Sequence, residues 1–186
     1  MRTLGLLWMM LELVACASVA HKTKPRECGS TPINVRALEK YGVKVPEGKI
    51  VVARIFATWC PYCKDDFAEI GKRFQSKEWR EENVHTVFLN YKNRADDKAS
   101  FDDFVARKFP TYGIPTTASQ LIYIDKEFKE LAKDPLFEGW KGVPFGLVFG
   151  KDGRLAFQGH FTNSPKVQDG HYQFISDLTV ESCKAR

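Results

Sequence analysis

Ile50-Val51-Val52-Ala53-Arg54-Ile55-Phe56-Ala57-Thr58-Trp59-Cys60-Pro61-Tyr62-Cys63-Lys64 is the stretch on which the reading of this chain turns. Its first seven residues form a short, β-branched apolar run, the composition of a strand buried on both faces. The run ends just before two cysteines, and from Pro61 the period changes. Cys63, Phe67, Ile70 and Phe74 recur at helical spacing, while Lys64, Asp65, Lys72 and Arg73 take the other face. The spacing predicts an amphipathic helix with Pro61 in its first turn, where a missing N–H is harmless.

A C-x-x-C pair at the point where a strand hands over to a helix has chemical consequences. Unpaired backbone N–H groups and the helix dipole stabilise negative charge there, so Cys60 is expected to be a thiolate. The thiolate is the attacking species, and lowering its pKa from about 8.5 to roughly 3.5–7.5 makes it reactive near neutral pH. Cys63, one turn further in, is expected to be shielded and to resolve the mixed disulfide that Cys60 forms. Pro61 and Tyr62 set the stiffness and hydrogen bonding between the two sulfurs, and Trp59 is expected to cover the site.

Further along, Val84 to Asn90 reads as a second strand, and Ser100 as the cap of a helix carrying Phe101, Phe104 and Val105 inward. Leu121 to Lys133 reads as a helix whose start could equally be a strand. Phe145 to Phe149 and Leu155 to Phe157 flank Lys151-Asp152-Gly153-Arg154, where Asp-Gly favours a tight hairpin turn. His171 to Glu181 places Tyr172, Ile175 and Leu178 at near-helical spacing. No repeat or linker divides the chain, so a single α/β domain is expected.

Phe56-Ala57-Thr58-Trp59-Cys60-Pro61-Tyr62-Cys63-Lys64 resembles the thioredoxin superfamily, most closely its exported TlpA-like branch. The resemblance covers roughly Gly48 to Asp177, and beyond the motif it rests on element order and on Gly142-Val143-Pro144 ahead of the hairpin. It implies an α/β thioredoxin-like fold, a central mixed β-sheet flanked by helices, and a thiol-disulfide oxidoreductase that needs no cofactor beyond the Cys60–Cys63 disulfide. It also implies that Pro144 is the family's cis-proline facing the cysteines, with the Val143 backbone open to a substrate strand. Gly113-Ile114-Pro115-Thr116-Thr117 imitates that loop but lacks the strand-turn-strand continuation, so Pro144 is preferred. Protein thiols or disulfides, and a membrane or envelope redox donor, are the implied partners. Reduction of substrates is the commoner task in the branch; potentials of about −270 mV and about −120 mV would mark a reductant and an oxidant respectively.

The chain departs from the family at several positions. Arg54 stands six residues before the first cysteine, where minimal thioredoxins carry a buried carboxylate. The nearest substitute is Asp66, which either helps proton transfer to the cysteines or is a solvated helix-surface residue beside Asp65. Ala68 replaces a kinking proline common in relatives. The stretch between Asn90 and Gly142 is longer than in a minimal thioredoxin.

The chain has 186 residues, 44% of them apolar and 13% aromatic, which excludes a disordered or low-complexity protein. Its net charge of +5 comes from interspersed residues of both signs, so nucleic acid is not an expected partner. Arg2, the apolar stretch Leu4 to Ala15 and the small residues Ala17, Ser18 and Ala20 make a secretory signal pattern over residues 1–20, interrupted by Glu12. Leu13-Val14-Ala15-Cys16 resembles a lipobox, which would anchor Cys16 to lipid, while Ser18-Val19-Ala20 suits cleavage before His21. Residues 21–48 then read as an irregular arm and 49–183 as the thioredoxin-like domain, placed in the bacterial periplasm or cell envelope. With Cys16 lipidated or cleaved away, four of the five cysteines remain, and Cys28 and Cys183 stand outside the motif, either paired or free.

Other functions fit less well. A structural zinc site would need two more ligands from Cys28, Cys183, His21, His85, His160 or His171, none of which forms a second close pair, so no metal site is expected. Copper-handling relatives resemble a wider C-x-x-x-C with a partnering histidine; His160 reads as a surface residue. Cys-Pro-Tyr-Cys also occurs in glutaredoxins, but Ala-Thr-Trp before it and the chain length favour the TlpA-like branch. A non-catalytic binding module would have no need of two cysteines at a helix start.

Overall fold

The computed structural model describes residues 33–76, 79, 83–117 and 119–160. The signal pattern, Cys16, Cys28, Cys183, His21 and the helix expected over His171 to Glu181 lie outside the described residues.

Among the described residues, five strands form one sheet in the order β3-β2-β1-β4-β5. They are β1 (Ile50–Phe56), β2 (Val84–Lys92), β3 (Ser119–Glu127), β4 (Phe145–Phe149) and β5 (Leu155–His160). The central β1 runs parallel to β2, from Ile50 opposite Val84 to Phe56 opposite Asn90, and antiparallel to β4. Every residue of β1 and β4 is buried, which explains their near-continuous apolar runs: both faces of the sheet are covered. Strand alternation divides β1. Ile50, Val52 and Phe56 face one cluster with Phe67, Ile70 and Phe88, while Val51, Ala53 and Ile55 face the other with Leu38, Phe137 and Leu147. By the same parity Arg54 shares the face of Phe56.

Helix α1 (Pro61–Arg73) follows β1 and buries Cys63, Phe67, Ile70 and Gly71. Its glycine permits a close crossing, because a Cβ at Gly71 would lie 1.7 Å from the Tyr112 carbonyl oxygen in the 3-10 helix Phe109–Tyr112. Helix α2 (Lys98–Lys108) buries Phe101 and Phe104 on the same side, and Phe56 meets Phe67 edge-on with centroids 5.0 Å apart.

Three local expectations are corrected. The cap of α2 is Asp97, whose carboxylate accepts from the Ser100 N–H at 2.7 Å; Ser100 is inside the helix. Over Leu121 to Lys133 the alternative of a strand at the start holds and the long helix does not: Ser119–Glu127 is strand β3, and only α3 (Phe128–Leu131) is helical. The open edge of β2 offers parallel pairing from Thr86–Ser119 to Tyr91–Ile124, and the apolar run Leu121 to Ile124 accepts it. The arm is not wholly irregular. A 3-10 helix, Val35–Tyr41, is capped by Asn34 and buries Val35 and Leu38, and the Val35 N–H donates to the Gly153 carbonyl at 2.8 Å. Gly153, at φ +76°, closes the β4–β5 turn as the Asp-Gly pair suggested. Among the described residues no helix is long and apolar enough to cross a membrane.

Candidate active site

The chain leaves β1 at Phe56, turns through Ala57, Thr58 and Trp59, and enters α1 with Cys60 as its N-cap. The Cys60 N–H donates to the Ala57 carbonyl at 3.1 Å, and its sulfur accepts from the Cys63 N–H at 3.2 Å. Both cysteines are thiols, 2% and 0% exposed. Their chemistry diverges sharply. The Cys63 thiol donates to the Cys60 sulfur and, with the Cys63 and Tyr62 backbone N–H groups, brings the Cys60 pKa down to about 7, against burial and the charge of Asp66. Burial pushes the Cys63 thiol well up, and its hydrogen bond to Cys60 and the charges of Cys60 and Asp66 push the same way. One sulfur is therefore the readier to ionise, and the other keeps its proton.

The opposite wall is the loop before β4. Val143–Pro144 is the cis peptide bond among the described residues, and Pro115 is trans. The Cys60 thiol donates to the Val143 carbonyl with sulfur and oxygen 3.6 Å apart. The structure thus brings Cys60, Cys63 and Val143 together from two distant parts of the chain. Trp59 and Tyr62 are each 52% exposed beside the pair. Trp59 stands at the surface, its indole N–H donating to Asn93 Oδ1 at 3.2 Å.

Asp66 is not a solvated surface residue. It is 1% exposed, with a carboxylate oxygen 3.4 Å from the Nε of Arg54, itself buried on β1. Asp65, its neighbour, faces solvent. Among the described residues no three His, Cys, Asp or Glu side chains converge as a metal site would require. His85 contacts Gln120, and His160 contacts the loop 141–144.

No protein-family model matches the chain, and no curated protein matches it. Solved structures do. A provisionally assigned thioredoxin from Neisseria meningitidis superposes with a TM-score of 0.54 at 17% identity, over 75% of this chain and 80% of its own. A provisionally assigned protein disulfide isomerase from Bacteroides thetaiotaomicron gives 0.53 at 18% identity, over 73% and 76%. A thiol-disulfide isomerase from Corynebacterium glutamicum gives 0.51 at 16% identity, over 73% and 84%. The chain has a thioredoxin fold.

Within that thioredoxin fold, several residues at the site carried no signal of their own in the sequence. Asp96, fully buried after β2, accepts hydrogen bonds from the Thr58 N–H at 2.8 Å, the Thr58 hydroxyl, Asn90 Nδ2 at 2.9 Å and Asn93 Nδ2 at 3.2 Å. It pins the turn that delivers Cys60 to the helix start. Asn90 also donates to the Phe56 carbonyl at 3.2 Å, tying the ends of β1 and β2 together. An Asn-x-x-Asp run after a strand is too common to have singled these residues out. His160 is not a free surface residue either: it is half-buried on β5, between Lys141 and Pro144.

Proposed function

We propose that the protein is a thiol-disulfide oxidoreductase of the TlpA-like kind, acting on protein disulfides outside the cytoplasm as a reductant. The observation that carries this reading is the geometry at the start of α1: Cys60 caps the helix, its sulfur 3.2 Å from the Cys63 backbone nitrogen and 3.6 Å from the carbonyl oxygen of Val143 before cis-Pro144, and this setting favours the thiolate at Cys60 and the thiol at Cys63. The Cys60 thiolate attacks one sulfur of a substrate disulfide; that S–S bond breaks, a mixed disulfide forms, and the other substrate sulfur leaves as a thiolate that takes up a proton. Cys63 then loses its proton and attacks Cys60 Sγ. The Cys60–Cys63 disulfide forms, the second substrate sulfur is released, and the substrate has gained two electrons.

The remaining roles follow from position. Val143 offers backbone groups to an extended substrate segment, and Pro144, which has no N–H, does not compete for it. Trp59, Pro61 and Tyr62 form the exposed rim that a substrate meets first. Asp66, whose charge bears on both cysteines, is the proposed acceptor of the Cys63 proton. A donor in the membrane or envelope would restore the dithiol. The extracytoplasmic location rests on the signal pattern of residues 1–20, with the lipid anchor at Cys16 as one of its two processing routes.

Insulin reduction with dithiothreitol as the electron source tests the reading. Cys60→Ser is expected to abolish the protein-dependent rate, whereas Cys63→Ser, reduced and then mixed with insulin free of dithiothreitol, is expected to accumulate mixed disulfides with substrate. Trapping by Cys60→Ser in place of Cys63→Ser would reverse the assignment. A potential of the Cys60–Cys63 pair near that of DsbA, about −120 mV, would replace the reductant by an oxidant.

A further inference from the structure

β5 does more than close the sheet. Its alternation puts Gln158 and His160 on one face, and both reach across to the segment that carries Val143. Gln158 Nε2 donates to the Leu136 and Glu138 carbonyls at 3.2 and 2.8 Å. His160 holds the segment next to the site. Its Nε2 lies 3.0 Å from the Lys141 backbone nitrogen and its Nδ1 3.2 Å from the Pro144 carbonyl oxygen. A backbone N–H can only donate and a carbonyl can only accept, so Nε2 is the acceptor and Nδ1 carries the hydrogen. One neutral imidazole thus spans both flanks of Gly142-Val143, while the Trp140 indole N–H donates to the Gly142 carbonyl at 2.7 Å from within the loop. The ring also packs edge-on against Phe145, centroids 5.1 Å apart.

We propose that His160 is a positioning residue for substrate binding: by joining Lys141 to Pro144 it holds the Val143 backbone beside Cys60, where an extended disulfide substrate pairs with it. The inference rests on the thiol-exchange reading and adds to it a residue that touches neither sulfur. It makes a distinction between substrates. A disulfide within a peptide uses the Val143 backbone, whereas a small aromatic disulfide such as dithiobis(nitrobenzoate) has no peptide backbone to pair and needs only the Cys60 thiolate.

The two contributions of the ring can be separated by substitution. His160→Phe keeps a ring against Phe145 and deletes both hydrogen bonds; His160→Gln keeps an acceptor and a donor at similar reach and deletes the ring. Reduction of a disulfide-containing octapeptide and of dithiobis(nitrobenzoate) by the pre-reduced protein, freed of reductant, is measured in single turnovers for parent and variants, with the half-saturating disulfide concentration read as KM and the limiting rate as kcat, the matching signal of Cys60→Ser subtracted and thermal melts alongside. Loss of hydrogen-bonded positioning is expected to raise the peptide KM of His160→Phe roughly tenfold with kcat nearly unchanged. Its rate with dithiobis(nitrobenzoate) is expected to match the parent's, and His160→Gln is expected to behave as the parent with both. Should His160→Phe not fold, His160→Asn, whose shorter amide reaches Pro144 but not Lys141, is expected to show the same substrate-selective defect in milder form. An unchanged peptide KM in the folded variant, an equal loss with both disulfides, or a defect in Gln and not in Phe would overturn the proposal. A parent protein inert towards both disulfides would instead strike down the exchange reading, and this inference with it.

Discussion

Replacing Cys63 by Ala tests the origin of the Cys60 thiolate. The hydrogen bond from the Cys63 thiol is the largest cause of the Cys60 shift from 9.0 to about 7, with the Cys63 and Tyr62 backbone N–H groups behind it. Two units correspond to about 3 kcal/mol of preference for the thiolate. At pH 7 about half of Cys60 is then ionised, against roughly one part in a hundred for a thiol left at its ordinary value, a gain of about fiftyfold in the reactive form. Intrinsic nucleophilicity falls with pKa at a Brønsted slope of about 0.4–0.5, which takes back roughly six- to tenfold. The net advantage over an ordinary cysteine in exchange at pH 7 is therefore about five- to eightfold. In Cys63→Ala the sulfur donor is gone while the backbone N–H at 3.2 Å stays, so the Cys60 pKa is expected to rise part of the way back towards 9. Absorbance at 240 nm against pH reads the thiolate, and subtracting the matching curves with Cys60→Ser removes Cys16, Cys28 and Cys183 from the signal. A Cys60 pKa near 9 in the parent, or one unmoved by Cys63→Ala, would refute the reasoning.

The same two shifts make the reduced protein's stability depend on pH. The depressed value of Cys60 contributes stability that is full above its unfolded pKa and is lost as pH falls through about 7, whereas raised Cys63 contributes below its unfolded pKa and loses this as pH rises beyond it. Urea midpoints are expected to climb from pH 7 to 9 and turn down above; a profile flat from pH 7 to 9 would contradict the Cys60 assignment, and one still climbing above 9 the Cys63 assignment. Gly71→Ala is expected to cost about 1–3 kcal/mol or more, since its methyl would sit 1.7 Å from backbone in the adjoining 3-10 helix; an unchanged melting temperature would show that α1 does not cross there. Asp96→Ala leaves the buried donors of Asn90 and the Thr58 backbone to find new partners, at about 1–3 kcal/mol, and is expected to slow exchange by loosening the turn before Cys60. Chemical denaturation and insulin turnover read the two effects, and wild-type values in both would remove Asp96 from the site. Arg54→Met and Asp66→Leu are each expected to lose about 3–5 kcal/mol by stranding a buried charge, and the double variant to recover most of it. Additive losses in the double variant would mean that the two side chains do not act as a pair.

The short-range features were readable from residues close together in the chain. Strand β1 and helix α1 follow from a change of period across the 25 residues from Ile50 to Phe74, and Cys60 as helix cap with Cys63 behind it follows from a spacing of three. Their unequal chemistry needs more than the helix start: the Cys63 thiol's hydrogen bond lowers Cys60, and burial raises Cys63. Local signals fail where two solutions have similar energy over a few residues. Asp97 and Ser100 can both cap a helix, and Leu121 to Ile124 suits either a helix or a strand until the open edge of β2 supplies hydrogen bonds. Pairings made across the fold leave no local trace. The Cys60 thiol meets the Val143 carbonyl 83 residues away, Thr58 meets Asp96 across 38, and His160 returns across 16 to hold Pro144. Arg54 and Asp66 read separately as a missing carboxylate and an ambiguous one; strand parity and the packing of α1 make them a buried pair. Sequence alone determined that the two cysteines stand at a strand-to-helix junction, Cys60 at the cap and Cys63 one turn in, because capping and periodicity are local. The tertiary structure decided what surrounds them, because burial and charge pairing depend on which elements the sheet order brings face to face.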